Sequence, residues 1–328
     1  MKTCAITGAS GYVGALLAEK LAADPACRVI GIDIKPPAWP GAATFRAADI
    51  RDPGIADLLH EEAVDVLIHL AFYTQPEGDA RLAESVNIDG TANLLEAAAK
   101  ARVGRLVLAS SAAAYGSHAD NPLPMTEASP LRPNSDFYYS WHKARQEALV
   151  QNFSQAHPAV QTVILRPSAL IGPHINNPTG DSLRQKLLIY IRGNAAPLQF
   201  IHENDAIEAF RLAATGQAVG VYNVAAEGTI TYPELAAIMG KRLLLLPYRL
   251  LAALASLGKA LGVSPVSATT LRFIRHPMVV DGHLFCRVFG FRPRFDTRRT
   301  MTEFAASLNP HNAKGKQQCK PNPNPSIT

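Results

Sequence analysis

Tyr139-Ser140-Trp141-His142-Lys143 places a phenol and an amine four residues apart. On a helix that spacing puts two side chains on one face. An ammonium beside a phenol stabilises the phenolate and would lower its pKa from about 10. A tyrosine tuned in this way can serve as a general acid–base near neutral pH. Tyr138 and His142 stand at the same spacing, so the register is not forced, but only Tyr139 pairs with a lysine. Upstream, Leu106-Val107-Leu108-Ala109 reads as a strand that ends in two hydroxyls, Ser110 and Ser111. A hydroxyl at the carboxyl end of a central strand lies where ligands bind in open α/β sheets. We assign the bond to a substrate oxygen to Ser111, with Ser110 as the alternative. Tyr115 is read as a packing or pocket-lining residue.

A second signal is Thr7-Gly8-Ala9-Ser10-Gly11-Tyr12-Val13-Gly14, between an apolar strand and a helical pattern. Glycines fit there because the turn is tight and the backbone must approach a pyrophosphate. The helix N-terminus then offers free N–H groups to the phosphates. Asp33 follows the next apolar run. A carboxylate there would accept bonds from the adenosine ribose hydroxyls and repel a 2′-phosphate, which favours NAD over NADP. Lys35 could soften that preference.

The elements that must position these residues follow from periodicity. Strands are predicted at 3–7, 28–32, 44–47, 64–70, 105–110 and 161–165. Helices are predicted at 14–23, 55–62, 83–101 and 140–157. This alternation predicts an α/β fold with a Rossmann-type, doubly wound parallel sheet and right-handed crossovers. After Arg166 the rhythm breaks. A helix is read at 182–191, another at 205–215, and a strand at 221–224 that could rejoin the sheet. From Thr231 the chain reads as mostly helical, including a helix within 243–263 that is read as buried or amphipathic in preference to a membrane-surface helix, since Pro247, Arg249 and Lys259 interrupt the apolar run. The expected organisation is a dinucleotide-binding domain of residues 1–170 and about 200–225, a smaller and mostly helical substrate lobe of 171–199 and 226–308, and a disordered tail at 309–328.

Composition sets the limits. Of 328 residues, 48% are hydrophobic and 18% charged, which fits a folded enzyme rather than a disordered chain. The formal charge is only +5, and no basic run interleaves with aromatics, so nucleic acid is not an expected partner. Cys4, Cys27, Cys286 and Cys319 are widely spread without C-x-x-C spacing, so no metal is expected. The chain opens directly on a strand, no apolar stretch is long enough to span a membrane, and a reducing cytoplasm fits best.

Taken in order, these motifs resemble the extended short-chain dehydrogenase/reductase family, in its NAD-dependent epimerase/dehydratase branch. The resemblance is carried by the glycine loop, Asp33, Asp49-Ile50, His69-Leu70-Ala71, Val86-Asn87 with Gly90-Thr91, Ser110-Ser111 through Gly116, Tyr139 to Lys143, Leu165-Arg166-Pro167, Ile171-Gly172-Pro173, and Phe200-Ile201-His202 with Asp205. It extends thinly to Phe289-Gly290-Phe291-Arg292-Pro293. It implies that Gly8, Ser10, Gly11, Tyr12, Val13 and Gly14 cradle the pyrophosphate and that Asp33 holds the ribose. Asp49 and Ile50 would flank the adenine, and Leu70 and Ala71 would line the path to the nicotinamide. Ser111, Tyr139 and Lys143 would be catalytic, with Tyr139 and Lys143 also meeting the cofactor. Pro167 and Ser168 would touch the nicotinamide, and Asn87 would support the site through backbone bonds or water. For His202 and Asp205, a site at the lobe junction and a purely structural role stand open. His69 reads as a core histidine.

Two departures narrow the implied chemistry. Nucleotide-sugar enzymes of the family carry an arginine just before the segment that here reads Phe200-Ile201-His202, and this chain has Ala196-Pro197-Leu198-Gln199 there. Arg184, Arg192, Arg292 or Arg294 could substitute. Dehydratases of the family carry an Asp-Glu pair after the catalytic hydroxyl, and here Ala112-Ala113 follows, so dehydration is not expected. What remains is an NAD-dependent epimerase or dehydrogenase acting on a secondary alcohol or ketone of a sugar or nucleotide-sugar-like substrate. The alternatives are a net NAD(P)-dependent dehydrogenase or reductase of a non-nucleotide alcohol, sterol-like or a small polyol, and a non-catalytic dinucleotide sensor. The resemblance also leaves room for a homodimer paired through 83–101 and 140–157.

Overall fold

The computed structural model describes residues 1–37, 43–74, 79–260, 268–276 and 278–308. The tail expected to be disordered lies outside them. The first half alternates as predicted: β1 (Lys2–Thr7), α1 (Tyr12–Ala22), β2 (Cys27–Asp33), β3 (Thr44–Ala47), α2 (Ile55–Glu61), β4 (Val66–His69), α3 (Ala80–Glu84), a wide π-type turn (Ser85–Asp89), α4 (Gly90–Lys100), β5 (Arg105–Ala109), a short tight helix (Ala112–Tyr115), α5 (Tyr138–Ala156) and β6 (Gln161–Pro167). The single helix expected over 83–101 is thus one continuous helical run over 80–100 with a π-helical segment within it. The Asp79 carboxylate caps its start, accepting from the Arg81 N–H, and the widened turn interrupts the regular ladder at Asn87.

Beyond β6 follow β7 (Ala169–Ile171), α6 (Pro178–Arg184), β8 (Leu187–Ile191), β9 (Phe200–His202), α7 (Glu203–Thr215), β10 (Gly220–Val224), α8 (Tyr232–Ile238), β11 (Arg242–Leu246), α9 (Tyr248–Ala260), α10 (Ala268–Arg275), α11 (His283–Phe289) and α12 (Thr297–Ser307). Two expectations are corrected here. The helix read at 182–191 ends at Arg184, and Leu187–Ile191 is a strand; the run expected to be helical from 243 begins with another, Arg242–Leu246. The two pair in parallel, Ile189 beside Leu244. Ile189-Tyr190-Ile191 suits a pleated surface, but its partner lies far away in sequence, so local periodicity could not select it. Pro247 then opens α9, its carbonyl accepting from the Leu251 N–H.

Seven parallel strands form the main sheet in the order β3-β2-β1-β4-β5-β6-β10. The order reverses between β1 and β4, whose registers run Cys4 beside Val66 to Thr7 beside His69. Because side chains alternate along a strand, Cys4 and Ile6 join the core under α1, α7 and α11. Ala5, Ile30 and Ile32 face the opposite core under α2, α4 and α5. Burial on both faces explains why the strands read as continuous apolar runs. The crevice at the carboxyl ends of β1 and β4 is the place where such sheets bind ligands.

Candidate active site

The glycine loop leaves β1 at Thr7 and enters α1 at Tyr12. Gly8 has φ +74°, and a Cβ there would meet the Ala71 nitrogen at 2.7 Å. At Gly14 a Cβ would stand 2.1 Å from the Gly8 carbonyl oxygen, so α1 can approach the loop only with glycine at that point. The N-terminus of α1 has no side-chain cap, which leaves its first N–H groups directed at the crevice. The Asp33 carboxylate accepts from the Ser10 N–H at 3.0 Å, and the Ser10 hydroxyl donates to the Lys35 carbonyl at 2.6 Å. The acid is therefore fixed against the loop. Asp49 is paired with Arg51, which holds its carboxyl below the usual range. The neighbouring Ile50 is buried, and its carbonyl accepts from Asn93 at 2.8 Å.

Below Ala71, His69 is buried between Thr7 and Thr91, at 2.8 Å and 2.9 Å from their hydroxyls. Thr91 donates its one proton to the Asn87 carbonyl and accepts from Gln146. His69 Nε2–H is therefore the donor to Thr91. Burial and the nearby Lys143 push its pKa down to about 3. It is a neutral core histidine. The Asn87 amide accepts from the Tyr73 N–H at 2.7 Å and donates to the Tyr73 carbonyl and to His142 Nδ1. It ties the segment after Ala71 to α5 and leaves no donor for a ligand.

The carboxyl end of β5 brings the two serines to opposite duties. Ser110 turns inward and donates to the buried Glu147. Ser111 caps the short helix that follows, its hydroxyl accepting from the Ala113 N–H at 3.1 Å, and it stands close enough to the Tyr139 phenol to oppose the effect of burial on it. Tyr139 sits in the first turn of α5, with Phe72 edge-on at 5.3 Å. Lys143, one turn on, is buried; its Nζ donates to the Ala109 carbonyl at 2.7 Å and to Gln146 at 3.2 Å, and lies 4.0 Å from the Phe72 ring centre. The expected lowering of the phenol pKa by Lys143 is not found. Burial raises Tyr139, opposed by the nearby Ser111 hydroxyl. Burial also lowers the amine itself to about 7, against the field of Glu147. Spacing predicted the pair, but it could not show how much solvent each group loses.

The lysine has a measurable consequence. Its folded-state pKa lies below the roughly 10.4 of an unfolded lysine. Between about 7 and that value the unfolded chain binds the extra proton, so unfolding free energy rises with pH in this window. Urea titrations should show that rise in the wild type and a flatter profile in Lys143→Met. Identical slopes would mean the amine is not held in a desolvated site.

Behind the crevice lies a group that sequence reasoning missed. Glu147 is fully buried, and Arg166 of β6 reaches it through Nε at 2.9 Å and Nη2 at 2.6 Å. Arg166 also donates to the Tyr115 hydroxyl at 2.7 Å. Pairings across 19 and 51 residues have no local signal, although the helical offset of Glu147 from Lys143 could have marked it. At the end of β6, Ser168 carries a buried hydroxyl with no partner among the described residues.

Other expected positions resolve into packing. His202 caps α7 by accepting from the Asn204 N–H, and stacks on Phe295 at 4.2 Å. Asp205 accepts from the Arg294 and Phe295 N–H groups. Tyr12 turns from the loop to bond Glu203, which also holds His174 at 2.5 Å. Gln199 is buried, donating to the Ala226 and Val280 carbonyls. Of the four arginines that could replace a missing phosphate clamp, Arg184 stands near Tyr12, which its charge acts upon, but it is bonded to Asp181 and the Ile175 carbonyl. Among the described residues, no cluster of His, Cys, Asp and Glu could hold a metal ion.

Fold and site together define the class: a Rossmann-type protein of the extended short-chain dehydrogenase/reductase kind. Residues 4–225 match the NAD dependent epimerase/dehydratase family, and the chain belongs to that family. It is 28% identical over 312 residues to the uncharacterised protein Rv0501 of Mycobacterium tuberculosis, covering 92% of this chain and 83% of the relative. It is 30% identical over 203 residues to an L-arabinose 1-dehydrogenase (NAD(P)(+)) of Haloferax volcanii, covering 57% and 72%. The fold is shared with the UDP-glucose 4-epimerase of Thermus thermophilus in complex with NAD, at a TM-score of 0.73, 21% identity, and coverage of 93% and 98%. It is also shared with a short-chain dehydrogenase/reductase superfamily protein of Agrobacterium tumefaciens with bound NAD, at 0.72, 22%, 96% and 100%.

Proposed function

We propose that this chain is an NAD-dependent oxidoreductase or epimerase acting on a secondary alcohol or ketone of sugar type, with Tyr139, Lys143 and Ser111 as its catalytic residues. The observation that carries the reading is the nearness of Ser111, at the end of β5, to the Tyr139 phenol in the first turn of α5, with the Lys143 amine buried one turn on and bonded to the Ala109 carbonyl. The residues fit a dinucleotide. Gly8, Ser10, Gly11, Tyr12, Val13 and Gly14 would receive the pyrophosphate on the uncapped start of α1, and Asp33 the ribose. Asp49 and Ile50 would border the adenine, and Leu70 and Ala71 the path inward. Pro167 and the unpartnered Ser168 hydroxyl would border the nicotinamide, and Asn87 would hold the loop that covers it. The carboxylate of Asp33 favours NAD over NADP.

NAD held in that cradle would supply the acceptor for the hydride that leaves the alcohol carbon. In oxidation, the Tyr139 phenolate takes the hydroxyl proton while the carbon–hydrogen bond yields its electron pair. Ser111 donates to the oxygen as it becomes a carbonyl, and keeps it oriented. Lys143, whose Nζ lies 6.0 Å from the Tyr139 ring centre, would favour the phenolate while its amine is protonated, and is steadied by the Ala109 carbonyl and Gln146. In reduction the proton returns from Tyr139 to the same oxygen. Epimerisation joins the two halves, with return of hydride to the other face of the keto intermediate. We assign residues 171–199 and 226–308 to the substrate lobe.

A second reading, net oxidation of a sugar or polyol without a nucleotide, is favoured by one observation. The stretch Ala196-Pro197-Leu198-Gln199, where the nucleotide-sugar enzymes carry an arginine, holds none, and its one polar side chain, Gln199, is buried and engaged with backbone, so it offers no clamp for a diphosphate. The test is NADH formation with free sugars and polyols set against UDP-sugar epimerisation. Activity confined to UDP-sugars would sink the second reading, and inactivity towards every alcohol would sink both.

A further inference from the structure

The lobe built from β8, β11, α9 and α10 carries a surface that the chemistry above does not use. Along α9, Leu250, Leu254 and Leu257 share one helical face and are 47%, 50% and 57% exposed. Leu251 and Ala255, one position further round, are buried against Ile191 and Leu271. The helix therefore has two apolar stripes, an inner one that holds it to the lobe and an outer one that meets solvent. The adjoining β8–β11 pair repeats the pattern: Leu187, Ile189 and Leu244 stand exposed on one face. Single exposed leucines are ordinary, but a cluster on three joined elements is not.

Charge gives the cluster its partner. Segment 182–202 contains Arg184, Lys186 and Arg192 and no acidic residue. Segment 235–280 contains Lys241, Arg242, Arg249, Lys259, Arg272 and Arg275, again with no acidic residue. These two segments hold nine basic residues and no acid, in a chain whose formal net charge is +5. Arg184 and Arg272 are paired with Asp181 and Asp136. Lys186, Arg192, Arg242 and Arg249 are exposed, and no ion pair is found for them among the described residues. A second copy of the chain would set cations against cations across a self-contact. A protein partner is less well matched, because the exposed cluster is aliphatic and lacks the tyrosine and tryptophan that anchor such contacts. Leucines surrounded by unpaired cations match an interfacial helix on anionic lipid. No described helix is long and apolar enough to cross a membrane, so the contact would lie on the surface.

We propose that this lobe docks on an anionic lipid bilayer, with Leu250, Leu254 and Leu257 entering the acyl boundary while Arg242 and Arg249 meet headgroup phosphates. The proposal goes beyond the redox reading and does not depend on it. The full chain, sedimented with vesicles of phosphatidylglycerol and phosphatidylcholine, should bind them, ignore phosphatidylcholine alone, and be released by high salt. Leu254→Gln and the double variant Arg242→Glu/Arg249→Glu should each weaken vesicle binding roughly tenfold or more. NAD binding should be unchanged in both, which shows that they fold. Leu257→Gln provides an independent check on the same stripe. Equal binding to both vesicle types, or variants that bind like the wild type, would overturn the proposal. So would a solution dimer that Leu254→Gln dissociates, because the leucines would then belong to a self-contact.

Discussion

Tyr139→Phe should lower turnover by about two to four orders of magnitude, the usual size of a lost general acid–base, while leaving thermal stability and NAD affinity close to those of the wild type. The substitution removes one oxygen. The ring contacts with Phe72 and Phe137 remain. What disappears is the phenol oxygen near Ser111, the group proposed to exchange a proton with a bound alcohol. Burial raises that phenol, so the phenolate fraction grows towards alkaline pH. Alcohol oxidation should therefore quicken as pH rises above neutrality, and that limb should vanish in the variant. Steady-state NADH formation across pH, with melting curves for both proteins, checks this. A variant with undiminished turnover would remove Tyr139 from the chemistry.

The second large effect concerns stability. Glu147 is 0% exposed at its side chain and Arg166 4%, and they meet at 2.6 Å. Glu147→Ala would leave a buried guanidinium without its counter-charge, a loss of about 3–5 kcal/mol. For a chain of this length that is a fall of about 5–8 °C in Tm. The cause would be the orphaned charge rather than the lost packing. Replacing both partners, as Glu147→Leu with Arg166→Met, should therefore recover much of the loss. Scanning calorimetry of the single and double variants distinguishes these causes. A double variant no better than the single one would mean that the pair itself, and not its imbalance, holds β6 to α5.

The fold was legible where burial leaves a continuous mark. Parallel strands covered on both faces read as apolar runs, so β1 to β6 fell within a few residues of their predicted places. The β8–β11 pair was not legible, because each strand becomes a strand only by meeting the other, and locally Leu243 to Leu246 reads equally well as helix. At the site, Tyr139, Lys143 and the glycines were visible because local geometry fixes their spacing. The choice between Ser110 and Ser111 was not, since it turns on Glu147, which draws Ser110 away from the crevice. His202 and Asp205 stood open between two roles in the sequence, and their bonds to Asn204 and to Arg294 and Phe295 give them work in packing. The phenol's acidity was misjudged for a related reason: desolvation depends on everything packed around a group, including Phe72, which stands far from Tyr139 in sequence.

The account depends on where the phenol stands relative to a bound dinucleotide. A crystal structure of the chain grown with NAD decides this directly. The account predicts pyrophosphate oxygens on the N–H groups at the start of α1, the adenosine ribose on Asp33, and a gap between Tyr139, Ser111 and the nicotinamide with room for an alcohol oxygen about 3 Å from both hydroxyls. A nucleotide bound elsewhere, or a nicotinamide turned away from Tyr139, would contradict it.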